Sequence, residues 1–294
     1  MLILISDAFY PALPDILSKY GEVTDDKNRQ ADAEIILVRS KTKVTKDYID
    51  TSPKLKLVIR GGVGLDNIDI NYAREKGIIV ENTAEASTNS VAEMAFALMI
   101  ALPNHITRAD ASMREGKWIK KELTRTELFG KTLGIIGMGR IGTSLAVRAL
   151  AFKMKVLCWH PDVFFSDFAD IRPTMKEVLQ ESDYLSLHMP LLKDTKGIIN
   201  KETLSYCKDG AYMINTGRGG CVIEEDIVEA LKSGKLGGYA TDVWYSDPPE
   251  NSPLVKAPNT ILTPHMGASS KENMIRIGII IEQLIGEYYK KKNN

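Results

Sequence analysis

Thr132-Leu-Gly-Ile-Ile-Gly-Met-Gly-Arg-Ile-Gly142 is the stretch whose reading decides the fold. Leu133, Ile135 and Ile136 make a short apolar run of strand type, and Gly137, Gly139 and Gly142 follow at GxGxxG spacing before a run of helix formers. Alone, such spacing is a weak signal; between a strand and a helix it acquires a mechanism. Gly137 permits a tight turn, Gly139 lets the backbone approach a pyrophosphate, and Gly142 lets the helix pack close to the strand. The helix start, carrying Arg140 and Ile141, offers free N–H groups and the positive end of a dipole to an anion.

Working outward, β/α alternation surrounds this turn on both sides. Upstream, Leu2 to Ile5, Ile35 to Val38, Leu57 to Ile59 and Ile78 to Val80 are aliphatic runs separated by polar helical stretches, the pattern of a parallel sheet covered on both faces. Downstream, runs at Lys155 to Trp159, Tyr184 to His188, Ala211 to Asn215, Gly238 to Val243 and Thr260 to Leu262 bring the second half to six strands, as a dinucleotide-binding sheet requires. Between the halves, Ser90 and Glu93 read as a capping box opening an apolar helix that Pro103 stops. Its apolar character nearly all round marks it as buried, between domains or between subunits. The expected tail, Lys290 to Asn294, is disordered.

Composition narrows the function classes. With 294 residues, two domains is the natural expectation. Lys plus Arg number 38 and so do Asp plus Glu, so no global charge recruits nucleic acid or an anionic membrane. Met1 to Ile5 is only a strand's length and is followed by Ser6 and Asp7, which is neither a secretory leader nor a membrane span. Cys158, Cys207 and Cys221 lie far apart without metal-ligand spacing; they fit a reducing, cytoplasmic compartment and imply no metal site.

In an open α/β sheet ligands bind beyond the carboxyl ends of the strands, so the residues just past each run are the candidate site. They are His160, His188, Asn215-Thr-Gly-Arg218-Gly-Gly220, Asp242, Asp247 and His265. Together with Arg60-Gly-Gly-Val-Gly-Leu-Asp-Asn-Ile-Asp69, Asn82-Thr83, Ser90-Val-Ala-Glu93, His188-Met-Pro190, Asp242-Val-Trp244 and Thr263-Pro-His265-Met-Gly-Ala-Ser269, these motifs resemble the D-isomer-specific 2-hydroxyacid dehydrogenases, in the family's order and over nearly the whole chain. Arg60, Gly116-Lys-Trp118 and Glu127-Leu-Phe-Gly-Lys131 are similar to the family's phosphoglycerate-oxidising branch, which makes the oxidation that opens serine synthesis the implied activity.

The chemistry asks for the same residues. Oxidising a 2-hydroxy acid needs a base for the hydroxyl proton, a cation for the carboxylate and a nicotinamide. Arg218 suits the carboxylate because its planar fork pairs bidentately and stays charged. His265, after a Thr-Pro turn, suits the proton, since imidazole titrates near working pH. By resemblance, a carboxylate before a proline orients the histidine; the family's glutamate is replaced here by Asp247, one methylene shorter, with Glu250 as a substitute. The resemblance also implies that Arg60 holds a substrate phosphate while backbone N–H groups around Val63 and Gly64 hold the carboxylate, and it leaves Ser87 where an asparagine contact is sometimes found.

For the cofactor the resemblance implies Gly137, Gly139, Arg140, Ile141, Gly142, His160, Pro161, His188, Pro190, Thr216, Asp242 and, at the nicotinamide end, Thr88. His160 stands at the position where an acid normally holds the ribose, with Asp162 two residues on and no arginine nearby, so NAD is expected with NADP tolerated. The expected architecture is α/β, with two doubly wound parallel-sheet domains. A Rossmann dinucleotide domain, residues 89–267, is inserted into a flavodoxin-like substrate domain, residues 1–88 and 268–294. The site is expected in the cleft between them, closing on a hinge to exclude water, with a homodimer contact through the apolar helix. Ending where the catalytic core ends, the chain is expected to lack serine inhibition through a regulatory domain. Glyoxylate or hydroxypyruvate reduction is the alternative activity, and a dinucleotide-sensing corepressor is the alternative class.

Overall fold

The computed structural model describes residues 1–293, and the chain divides into two compact units. The first joins Met1–Thr88 to the stretch from Ala268 onward; the second is Asn89–Gly267.

The first unit runs β1 (Leu2–Ile5), α1 (Leu13–Leu17), β2 (Glu22–Thr24), β3 (Ile35–Val38), α2 (Lys46–Asp50), β4 (Leu57–Arg60), α3 (Ile70–Glu75) and β5 (Ile79–Asn82). All pairings are parallel in the order β2-β1-β3-β4-β5, the flavodoxin-like order. Successive residues of a strand face opposite sides, so both faces need apolar cover. Leu2, Leu4, Ile36, Val38 and Val58 share one core, whereas Ile3, Ile35, Leu37, Leu57 and Ile59 share another.

The second unit runs α4 (Thr88–Ala101, its first residue in the first unit), α5 (Ile106–Arg114), β6 (Thr132–Ile136), α6 (Arg140–Ala151), β7 (Lys155–Trp159), β8 (Asp170–Ile171), α7 (Met175–Glu181), β9 (Tyr184–Leu187), α8 (Lys201–Ser205), β10 (Ala211–Asn215), α9 (Glu224–Ser233), β11 (Leu236–Thr241) and β12 (Thr260–Leu262). The sheet order, β12-β11-β10-β9-β6-β7-β8, is the dinucleotide-binding order with one further strand at its far edge. Leu145, Ala146 and Ala149 of α6, with Ala95, Leu98 and Met99 of α4, cover one face; Val178, Leu179, Leu204 and Ile227 cover the other. α10 (Lys271–Asn293) returns to the first unit, where Ile277, Ile281 and Ile285, four residues apart, form one fully buried stripe on the core that holds Ile3 and Leu37. Each such isoleucine contributes roughly 1.5–3 kcal/mol of burial.

Three expectations are corrected. β2 and β8 were not foreseen, because three and two residues of mixed polarity carry no strand signal; the second sheet has seven strands rather than six. Ser90 does not cap a helix: α4 starts at Thr88, and the Ser90 hydroxyl donates to the Gly267 carbonyl at 2.5 Å. Glu93 is exposed and pairs with Arg148 at 3.0 Å. The expected disordered tail is the end of α10 as far as Asn293, and Asn294 lies outside the described residues. Among the described residues no helix is long and apolar enough to cross a membrane.

Candidate active site

All ladder pairings of the second unit are parallel, so the carboxyl ends of its strands form one edge. Backbone bonds carry the ladder one residue past each strand, from Gly137 N to Trp159 O (2.9 Å), His188 N to Ile136 O (2.8 Å), Asp242 N to Asn215 O (3.0 Å) and Thr263 N to Thr241 O (3.0 Å). The edge therefore sets Gly137, His160, His188, Thr216, Asp242 and Thr263 side by side.

At the glycine turn each residue has a separate steric reason. Gly137 has φ +103°, and a Cβ there would fall 2.9 Å from the His188 carbonyl. A Cβ at Gly142 would fall 2.5 Å from the Gly137 carbonyl oxygen, whereas one at Gly139 would meet nothing within 4 Å. The backbone is thus open at Gly139 alone, immediately before the α6 N-terminus, where an anionic group can approach. Nearby polar groups await a ligand. Thr216 Oγ1 and His188 Nδ1 are buried without a hydrogen-bond partner among the described residues. The open backbone, the exposed helix start and these orphaned atoms fit a dinucleotide. Ile141 is half-buried, and Arg140, Pro161 and Pro190 are exposed around the same edge; Thr88 opens α4 from the first unit.

His188 receives a bond between its Nε2 and Ser186 Oγ at 2.9 Å, and burial pushes its pKa down to about 4. It is a neutral ring at working pH, suited to hydrogen bonding rather than proton transfer. His160 Nδ1 accepts from the Asp162 N–H at 3.0 Å, which leaves Nε2 as the protonated nitrogen of the neutral ring.

Asn215 shapes the next loop: its side chain accepts from Gly217 N (3.1 Å) and donates to Arg218 O (3.0 Å). Arg218 is half-buried, with Nη1 donating to Gly217 O at 2.8 Å. Behind it, Gly219 lies so close to Trp244 that a Cβ would sit 2.2 Å from the Trp244 carbonyl carbon, which brings the Arg218 loop against the backbone of Trp244.

His265 sits at φ +53°, a left-handed conformation that needs outside support. Asp242 supplies it. The buried carboxylate accepts from Thr263 Oγ1 (2.6 Å), Met266 N (2.9 Å) and Gly267 N (2.7 Å), so both oxygens brace the loop that carries the histidine. The His265 ring meets Asp247, Nδ1 to Oδ2 at 2.5 Å. Glu250 is instead seen donating its backbone N–H to Ser246 Oγ at 3.2 Å. Because a carboxylate can only accept from it, Nδ1 carries a proton and Nε2 is the atom left for a substrate.

In the first unit the carboxyl edge carries two arginines. Arg60 ends β4 opposite Val38, and Arg39 directly follows β3. Gly62 has φ +150°, and a Cβ there would lie 1.9 Å from Arg60 Nη1, so the guanidinium lies over that glycine. Asn82 Nδ2 holds the Val63 carbonyl at 2.7 Å, fixing the turn through Val63 and Gly64. Sequence reading missed Arg39. Burial pulls its guanidinium below the ordinary value while the Asp7 carboxylate, which accepts the Arg39 N–H at 2.6 Å, acts in the opposite direction. The signal was present in the chain: both Leu37-Val-Arg39 and Val58-Ile-Arg60 carry an arginine at the close of an aliphatic run, although the register sets Val38, not Arg39, opposite Arg60. Ser87 is buried and receives Asn273 Nδ2 at 3.2 Å.

These features define a dehydrogenase of two doubly wound units, and the comparisons agree: residues 96–267 match the family described as D-isomer specific 2-hydroxyacid dehydrogenase, NAD binding domain, and the chain belongs to that family. It is 45% identical over 260 residues to the hydroxypyruvate reductase of Thermotoga maritima, covering 87% of this chain and 85% of that one. It is 40% identical over 295 residues to the D-3-phosphoglycerate dehydrogenase of Methanocaldococcus jannaschii, covering 96% of this chain but 56% of that protein. The chain thus spans about half the length of the phosphoglycerate dehydrogenases it matches. Among solved structures, D-lactate dehydrogenase from Aquifex aeolicus, complexed with NAD and lactic acid, is 30% identical with a TM-score of 0.89, over 99% of this chain and 96% of that one.

Proposed function

We propose that the protein oxidises D-3-phosphoglycerate with NAD, and reduces 3-phosphohydroxypyruvate in reverse. The observation that carries the phosphorylated substrate is Arg60, whose guanidinium lies over Gly62 at the end of β4, with Arg39 one residue past the end of the adjacent β3; a 2-hydroxy acid without phosphate needs neither cation. In this reading Arg60 and Arg39 take the phosphate, the backbone around Val63 and Gly64 takes the carboxylate, and Arg218 pairs with the carboxylate and polarises the C2 oxygen.

In oxidation, His265 Nε2 accepts the C2 hydroxyl proton as the carbonyl forms. The resulting imidazolium is stabilised by the Asp247 carboxylate on Nδ1. In reduction the same ring returns the proton. NAD, when bound, supplies a nicotinamide that takes the C2 hydrogen with its electron pair. Gly137, Gly139 and Gly142 would seat its pyrophosphate, Thr216 and His188 would offer it polar atoms, and His160 would lie toward its ribose. A positioned acid–base group of this kind contributes on the order of 10²–10⁴ in rate.

Hydroxypyruvate reduction is the second reading, favoured by the 45% identity to the hydroxypyruvate reductase of Thermotoga maritima. Initial rates with phosphohydroxypyruvate, hydroxypyruvate and glyoxylate and NADH decide between them. A kcat/KM for hydroxypyruvate above that for the phosphorylated keto acid overturns the first reading. A homodimer contacting through α4 belongs to the same proposal, and a monomeric mass in solution overturns it.

A further inference from the structure

Asp247 has a short reach, so whether its carboxylate meets His265 depends on where its loop is held. Residues 244–252 are fastened at three points apart from that contact. Trp244 Nε1 donates to Thr263 O at 3.0 Å, the Tyr245 hydroxyl donates to Val222 O at 2.8 Å, and Ser252 Oγ donates to Glu224 Oε2 at 2.6 Å. The first two hold the near end. The third is the only side-chain bond among the described residues seen from the far end to another element.

Glu224 is an unusual anchor. It is the first residue of α9 and is 5% exposed, a burial that a carboxyl group tolerates only when hydrogen-bonded. Burial raises its pKa, Ser252 acts against that rise, and Glu225 on the same helix adds to it. The other titrating groups that sense Glu224 are the phenols of Tyr239 and Tyr245. Between Asp247 and Ser252 lie only four residues, and two of them, Pro248 and Pro249, have rings that fix φ and stiffen the half of the connection next to Asp247.

We propose that Glu224 is a positioning residue for proton transfer: through Ser252 it fixes the far end of the 244–252 loop and so keeps the Asp247 carboxylate on His265 Nδ1. This rests on the reading of Asp247 and His265 as the acid–base pair. The alternative is that Glu224 serves α9 alone, as an acid in a helix's first turn.

Ser252→Ala separates the two, because it removes the link while leaving Glu224 on its helix. The expected result is a kcat lower by on the order of 10-fold, an unchanged dissociation constant for NADH by fluorescence, and an alkaline limb of the reduction profile displaced to lower pH. The downfield Nδ1–H proton resonance of His265, assigned by its loss in His265→Asn, shifts or broadens. Glu224→Ala gives the same pattern, and Glu224→Gln, which still accepts from Ser252, rescues it. Wild-type kcat, profile and resonance in Ser252→Ala overturn the proposal, as does an E224Q protein no better than E224A. The resonance is read without turnover, so a wild-type protein inactive on every hydroxy acid would sink the functional reading while the loop's hold on the imidazole is still measured.

Discussion

Replacing Asp247 by Asn tests the centre of the mechanism, because it keeps a hydrogen-bond acceptor beside His265 Nδ1 and removes only the charge. Two unit charges about 4 Å apart attract by ~4 kcal/mol at an effective dielectric of about 20, and by ~1 kcal/mol in bulk water. The His265 and Asp247 side chains are 34% and 41% exposed, which places the pair toward the watery end, at ~1–2 kcal/mol. That energy acts on the imidazolium and therefore on the transition state for proton transfer. At about 1.4 kcal/mol per tenfold, Asp247→Asn lowers kcat by roughly 10-fold in both directions. In reduction the protonated ring is the acid, so losing its counter-charge moves the alkaline limb of the profile to lower pH. The assay is initial-rate NADH absorbance at saturating keto acid across pH. A variant with wild-type kcat and an unmoved limb would show that Asp247 is a bystander.

Four further outcomes follow from the geometry. Arg60→Ala, and Arg39→Ala with it, should raise KM for 3-phosphoglycerate by at least about 10-fold relative to D-glycerate; equal losses on both substrates would remove the phosphate from the argument. Gly142→Ala should destabilise the protein by ~1–3 kcal/mol, since its methyl would press on the Gly137 carbonyl; a urea midpoint equal to wild type refutes it. His188, held near 4 when folded and 6.5 when free, binds a proton in the unfolded chain that the native one refuses. Its contribution is therefore complete above about pH 6.5 and is lost as pH falls toward 4, by up to about 3 kcal/mol, and the slope should vanish in His188→Gln. With an acidic Asp162 two residues after His160 and no arginine directly following it in the sequence, kcat/KM should be higher with NADH than with NADPH, and a strong NADPH preference would contradict this.

Much of this was readable in the residues. The glycine turn was legible because three glycines at fixed spacing between a strand and a helix have few other uses, and the carboxyl-edge rule then pointed to the loops after each later strand. What escaped was set by tertiary contacts. Asp242 reads as a strand-end acid, and nothing in its neighbours shows that its two oxygens hold Thr263, Met266 and Gly267. Ser90 has the spacing of a cap, but Thr88 already begins the helix and the hydroxyl binds a carbonyl 177 residues away. β8 is two residues long and owes its existence to pairing with Leu157 and Cys158, yet it is the strand that completes the dinucleotide order. Arg39 went unread for a different reason: the parallel pairing that sets the ends of β3 and β4 side by side is invisible until the sheet is drawn.

The crowding of Gly62 against the Arg60 guanidinium has a bearing on efforts to retune this enzyme. A library that randomises both positions would waste most members, because any side chain at 62 evicts the cation from its berth before selectivity is sampled. Keeping the glycine and varying 39 and 60 together leaves the turn intact, and the surviving clones would then report charge preference rather than damaged backbone.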